Sequence, residues 1–191
     1  MASSFSDSTL DGPVPASLPG RSKVASLEEE VVGLFEQFRD RLLRYLLALG
    51  LDVHDGEEVI QDVFLALFQH LERGKSRRNL RGWVFRVAHN LGLKQRNGKF
   101  RRLQHVMQPG GALAESQIDP SPNPEEQLLD KDRRQRLRAV LNALPEKDRW
   151  CLCLRSEGLR YREIADVLGI SLGAVSLMLA RSLARLGRAD R

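Results

Sequence analysis

Aromatic residues make up only 6% of this 191-residue chain, there are two cysteines, and no apolar run approaches the roughly 18 to 20 residues that cross a bilayer. Membrane insertion is therefore not expected. Cys151 and Cys153 stand two apart, and side chains at that spacing on a helix diverge by about 200°. A disulfide between them is not expected on that geometry, and a zinc site would need several histidines close by. Reduced thiols in a cytoplasmic protein are the expectation. The N-terminus lacks the basic start and apolar core of a secretory signal. The chain also lacks a P-loop, a dinucleotide fingerprint, a nucleophile elbow and a His-Glu-x-x-His helix. No catalytic residue, metal or cofactor is expected. The carboxylate clusters Glu28-Glu29-Glu30 and Glu57-Glu58 fall at predicted helix starts, where the helix dipole accounts for them.

What the chain has is leucine and alanine recurring every three or four positions, with no alternating strand run, which predicts an all-α protein. A Ser26/Glu29 capping box opens a first helix running toward Leu49, with Gly50 to end it. An Asp55/Glu58 pair opens a second, whose buried side is Val59, Ile60, Val63, Phe64, Leu67 and Phe68. A third starts after Asn79 and fades near Asn97-Gly98. From Leu103 to Gln127 the pattern dissolves into Gln-Pro-Gly-Gly and Asp-Pro-Ser-Pro-Asn-Pro, where prolines remove donors and disfavour helix before them. The predicted organisation is a disordered arm (1–26), a helical domain (27–102), a flexible linker (103–127) and a second small helical domain (128–191). In the last, Pro145 suits the first position of a helix.

Between Arg73 and Arg102 there are eleven lysines or arginines and no acid. So lopsided a stretch points to a polyanion, and phosphates are the obvious one, because displacing condensed counterions drives binding to nucleic acid. The plain alternative is a solvated basic face. Trp83, Phe85 and His89 lie among these cations, where flat side chains could stack on unpaired bases; Trp83 also suits a core position. Asn90 carries a carboxamide able to pair a donor and an acceptor with a base edge, or simply to cap locally.

The run Tyr161 to Met178 has helix-turn-helix spacing. Ala165 is small where two helices would touch and Gly169 permits the turn. Ile164, Leu168, Ile170, Val175 and Met178 fill the space between the helices, and Ser171 caps the second. In that motif the N-terminal residues of the second helix, here Leu172, Gly173, Ser176 and Leu177, approach base edges in the major groove.

Together these segments resemble bacterial RNA polymerase sigma factors of the extracytoplasmic-function (ECF) group of the sigma-70 family, over about residues 27 to 190. Asp55-Gly-Glu-Glu-Val-Ile-Gln-Asp-Val-Phe64 is similar to the part of sigma region 2 that docks on the polymerase clamp helices. Trp83-Val-Phe-Arg-Val-Ala-His-Asn90 resembles the promoter-melting segment. Leu144-Pro-Glu-Lys-Asp-Arg149 with Gly158-Leu-Arg-Tyr-Arg-Glu-Ile-Ala165 resembles region 4. The resemblance implies a cytoplasmic, non-enzymatic specificity subunit with core RNA polymerase, promoter DNA and an anti-sigma factor as partners. Glu58, Gln61, Asp62 and Phe64 would face the polymerase. Asn90 would help accept a flipped minus-ten base, while Trp83, Arg86, Lys94, Arg96 and Lys99 would hold the strand. Arg160, Tyr161, Arg162, Ser171, Leu172, Gly173, Ser176, Leu177 and Arg181 would meet the minus-thirty-five duplex. Two departures stand out. Lys94 replaces an acidic residue common after the asparagine, and the recognition helix reads Ala174-Val-Ser-Leu-Met178-Leu-Ala-Arg181 where relatives carry more cations. A stand-alone helix-turn-helix regulator is the alternative reading; an RNA-binding or structural adaptor would leave the helix-turn-helix unexplained.

Overall fold

A computed structural model describes residues 19–106 and 124–189, with side chains over 25–100 and 133–189. Among the described residues there are seven helices and no strand: α1 Pro19–Ala48, α2 Val53–Glu72, α3 Leu80–Val106, α4 Pro124–Asn142, α5 Glu146–Ser156, α6 Tyr161–Leu168 and α7 Leu172–Ala189. The all-α expectation and its two helical groups hold.

Boundaries shift for local reasons. The first helix begins at Pro19, so Ser26 lies inside it and the predicted arm is shortened; residues 1–18 are outside the described residues. Proline suits a first helical position, because its missing N–H would have had no partner there. Asp52, three residues ahead of the expected cap, accepts from the Asp55 amide at 2.8 Å. Asn79 sits at φ 56° and its Oδ1 accepts from the Gly82 amide at 3.2 Å, starting α3 where expected. That helix then runs through Gly98 to Val106. Most of the predicted linker, residues 107–123, lies outside the described residues.

The core of the first group is built by Leu42, Tyr45, Leu46 and Leu49 of α1, Ile60, Val63 and Leu67 of α2, and Val84, Phe85 and Ala88 of α3, all nearly inaccessible. Gly92 lets α3 cross closely over α1: a Cβ there would lie 2.8 Å from the side-chain ends of Leu46 and Leu49, which would have to shift. The second group closes on Trp150, Cys151, Leu154, Leu159, Ile164, Val167, Val175 and Leu179.

The two groups also pack on each other, a contact that the sequence does not announce. Their buried residues form one continuous cluster. Glu157, at the end of α5, accepts from Arg41 Nε at 3.1 Å and from Arg44 Nε and Nη2 at 3.0 and 3.1 Å. Arg81 of α3 reaches Glu163 of α6 at 3.1 Å, and Arg96 reaches Glu146 at 3.0 Å. Between these pairs the Trp150 ring meets His89 edge-on, with ring centres 5.4 Å apart, and Arg96 stacks over it at 5.3 Å.

Candidate nucleic-acid interface

The helical period divides α3 into two working faces. Arg81, His89 and Arg96 turn toward the second group, whereas Arg86, Asn90 and Lys94, spaced four apart, form one exposed stripe. The stripe presents two cations either side of a carboxamide. That set can hold phosphates and still offer a paired donor and acceptor to one base edge.

The basic stretch is acid-free in sequence but not in space. Carboxylates from elsewhere in the chain tie down Arg77 (Glu30, 3.1 Å), Arg81, Arg96 and Lys99. Lys99 bonds Asp52 at 2.8 Å and also Asp55. Its pKa is raised by those two hydrogen bonds, and that of Asp52 is lowered, first by the Asp55 amide and then by Lys99. Arg96 further donates to the Leu49 carbonyl at 3.0 Å. Arg96 and Lys99, for which the resemblance implies a strand-holding role, are thus engaged by carboxylates of the chain itself. Arg73, Lys75, Arg78, Arg86 and Lys94 are exposed and carry no such carboxylate partner among the described residues.

The aromatic expectations are corrected too. Phe85 is fully buried and His89 is 5% exposed, so neither can stack on a base. The Tyr45 hydroxyl lies 2.8 Å from His89 Nδ1. Burial first, and then the Arg96 charge, push the His89 pKa down to about 4. The imidazole is therefore neutral at pH 7 and shares one hydrogen bond with the tyrosine hydroxyl. Trp83 is half-buried, its ring 4.7 Å from that of His70, leaving one part for solvent.

On α2, Glu58, Gln61 and Asp62 are exposed along one face. Phe64 is not part of it: at 6% exposure its ring packs edge-on against Phe35, 5.0 Å away, and works in the core. The sequence reading missed Leu65, 59% exposed beside Gln61 and Asp62. Its signal was present, because Leu65 falls off the apolar stripe of α2. An exposed leucine among carboxylates is a surface suited to a protein partner.

In the second group α6 and α7 meet at a bend of 105°, within the range of helix-turn-helix pairs. Gly169 takes φ +63° at the turn, and Ile170 N–H closes it on the Ala165 carbonyl at 3.1 Å. Ser171 Oγ accepts from the Ala174 amide at 3.2 Å, the expected cap. Ile164 and Val175 are fully buried, with Leu168, Ile170 and Met178 packed against them. Arg160, Tyr161, Arg162, Ser171, Leu172, Gly173, Ser176 and Leu177 are all exposed. Arg181 is exposed as well but is engaged within the protein. Asp148, whose side chain is 2% exposed, takes it in a fork at 2.8 and 2.7 Å from Nη2 with Nε at 3.0 Å, so that cation orients α7 against α5.

Comparison with known proteins agrees with this division. The family model for sigma-70 region 2 matches residues 34–101 and that for sigma-70 region 4 matches residues 134–186, between them more than half of the chain. The chain is 31% identical over 156 residues to the ECF RNA polymerase sigma factor SigE of Mycolicibacterium smegmatis, covering 80% of this chain and 58% of SigE. It is 31% identical over 144 residues to the probable RNA polymerase sigma factor RfaY of Xanthomonas campestris, covering 72% of this chain and 34% of RfaY. It thus spans well under two thirds of either relative's length. The sigma factor RpoE, solved in complex with the anti-sigma factor NepR from Bartonella quintana, shares the fold with a TM-score of 0.63 at 20% identity, over 87% of this chain and 99% of that one. The chain belongs to the sigma-70 family of RNA polymerase sigma factors, in its ECF group.

Proposed function

We propose that this chain is a transcription initiation factor: it binds core RNA polymerase and gives it promoter choice, with no catalytic machinery of its own. The observation that carries this is the presence in one chain of two separate DNA-suited surfaces, the Arg86-Asn90-Lys94 stripe and an exposed helix-turn-helix, together with an acidic, leucine-bearing face on α2. The α2 face, with Glu58, Gln61, Asp62 and Leu65, docks on polymerase. The α3 stripe takes the minus-ten strand and a flipped base at Asn90. Unstacking that base costs a few kcal/mol, which cations and a base pocket offset. The helix-turn-helix meets the minus-thirty-five duplex, and the polymerase supplies the chemistry. The protein acts in the cytoplasm, and an anti-sigma protein is its regulatory partner by family analogy. A stand-alone regulator would need the helix-turn-helix but not the α2 face.

The test is Asp62→Arg. The side chain is exposed, so the fold is retained by circular dichroism, while co-elution with core polymerase on gel filtration and promoter-directed transcription in vitro are both lost. Undiminished co-elution refutes the docking assignment. Tight, sequence-specific duplex binding by the free chain without polymerase would favour the regulator.

A further inference from the structure

The exposed face of α7 carries no charge in its first two turns. At 100° per residue, Leu172, Gly173, Ser176, Leu177, Ala180 and Leu183 share one arc of about 140°, bordered on the Leu172 side by the buried arc of Val175, Leu179 and Ser182. Leu172 is 48% exposed, Leu177 66% and Leu183 59%, a large apolar offering for a helix facing water. The nearest long polar side chain, Arg181, is held by buried Asp148. Yet the surroundings are cationic. Arg185 and Arg188 lie on the Leu177 flank of the same helix, and Arg160 and Arg162 are exposed at the start of α6. An apolar ridge beside a row of arginines, on the second helix of a helix-turn-helix, complements a duplex whose phosphates flank its groove. A buried protein interface would not call for such a flank.

We propose that α7 reads thymine 5-methyl groups in the major groove. This rests on the proposed role of the second helical group as a duplex reader. Base edges in that groove offer hydrogen-bonding atoms and one apolar group, the thymine methyl. With no long donor or acceptor free at the start of α7, Leu177 and Leu172 can discriminate there by covering methyls. Ser176 is the one polar side chain on this arc of α7. Gly173 and Ala180 keep the helix slim enough to seat. Arg160, Arg162, Arg185 and Arg188 hold the backbone without reading sequence. The upstream element recognised is accordingly rich in thymine on one strand or the other, and base discrimination there comes from contact area.

The experiment uses the full chain bound to core RNA polymerase. Upstream duplexes are selected from a random library, and each selected thymine is then replaced by uracil, which deletes the methyl and keeps every hydrogen-bonding atom. The expected result is thymine enrichment and an affinity loss of about fourfold per contacted methyl, the equivalent of about 0.8 kcal/mol for a methylene-sized group. Leu177→Ala, at an exposed position that leaves helical content unchanged, should bind thymine and uracil alike at the one position Leu177 covers, and Leu172→Ala with Leu177→Ala should bind the two probes alike throughout. A selected sequence bound equally with thymine or uracil overturns methyl reading while the duplex-reading role stands. If no upstream sequence is enriched and Arg160→Ala and Arg162→Ala leave binding to upstream DNA unchanged, both fall. If Leu177→Ala instead weakens co-elution with polymerase and leaves upstream DNA binding intact, the face belongs to a protein contact and the inference is wrong.

Discussion

Glu157→Ala isolates the contact between the two helical groups. The Glu157 side chain is 10% exposed and accepts three charge-assisted bonds, from Arg41 Nε, Arg44 Nε and Arg44 Nη2. The alanine variant retains the main-chain carbonyl, which also accepts from Arg41, so the measurement reports on the carboxylate alone. Removing one partner of a buried pair costs about 3 to 5 kcal/mol when the remaining charge is trapped. Neither cation is trapped here. Arg44 is 61% exposed and regains water, so its share reduces to the surface value of about 0.5 kcal/mol. Arg41, at 27% exposure, keeps a larger penalty of about 1.5 to 2 kcal/mol. The sum is a destabilisation of about 2 kcal/mol, near thirtyfold in the folded-to-unfolded ratio. Urea unfolding followed by circular dichroism measures it, and tryptophan fluorescence adds a probe at the contact, because Trp150 lies there. A cycle of Glu157→Ala with Arg41→Ala should give a coupling energy above about 1 kcal/mol. A loss under about 0.5 kcal/mol with an additive double variant would show that the two groups do not stabilise each other through this carboxylate.

Acid should weaken the same contact through His89. Its folded pKa, about 4, lies below the ordinary 6.5, so the unfolded chain binds the extra proton between those values. The stability from holding it neutral is complete above about pH 6.5 and is lost as pH falls toward 4, about 3 kcal/mol in all. Urea midpoints of His89→Phe should lose that part of the slope, and an unchanged profile would contradict it. Asn90→Ala should alter preference at one minus-ten base more than overall promoter affinity. A binding series over base variants at each position checks this, with a uniform loss arguing against base readout.

What could be read from the chain alone was whatever local spacing encodes. Ala165, Gly169 and five apolar positions fix the helix-turn-helix within eighteen residues, and the structure places each as expected. Asn79 likewise announces α3 through its own side chain. What stayed hidden was pairing across distance. Glu157 lies 116 residues from Arg41, and Glu146 lies 50 from Arg96, so counting charges along Arg73 to Arg102 could not show which cations were already occupied. The burial of Phe85 and His89 was different, because its signal was present. Both fall on the Val84 and Ala88 side of the helical period, and only their basic neighbours suggested a stacking role. Phe64 was likewise within the apolar stripe assigned to α2, and the stripe was the better guide than the motif.

This separation of faces explains how one helix can both brace the fold and offer a polyanion site. On α3 the stabilising cations, Arg81 and Arg96, point at Glu163 and Glu146, while Arg86 and Lys94 point to solvent four residues either side of Asn90. A strand laid along the exposed stripe does not compete for a cation that the protein needs, and the desolvated carboxylates stay neutralised when it arrives. Had the same arginines served both purposes, nucleic-acid binding would have left Glu163, at 11% side-chain exposure, without its cation and with only the Arg160 amide at 2.7 Å, a costly loss for a buried carboxylate. Dividing the cations of α3 by helical face, Arg86 and Lys94 free and Arg81, Arg96 and Lys99 engaged among those described, removes that conflict.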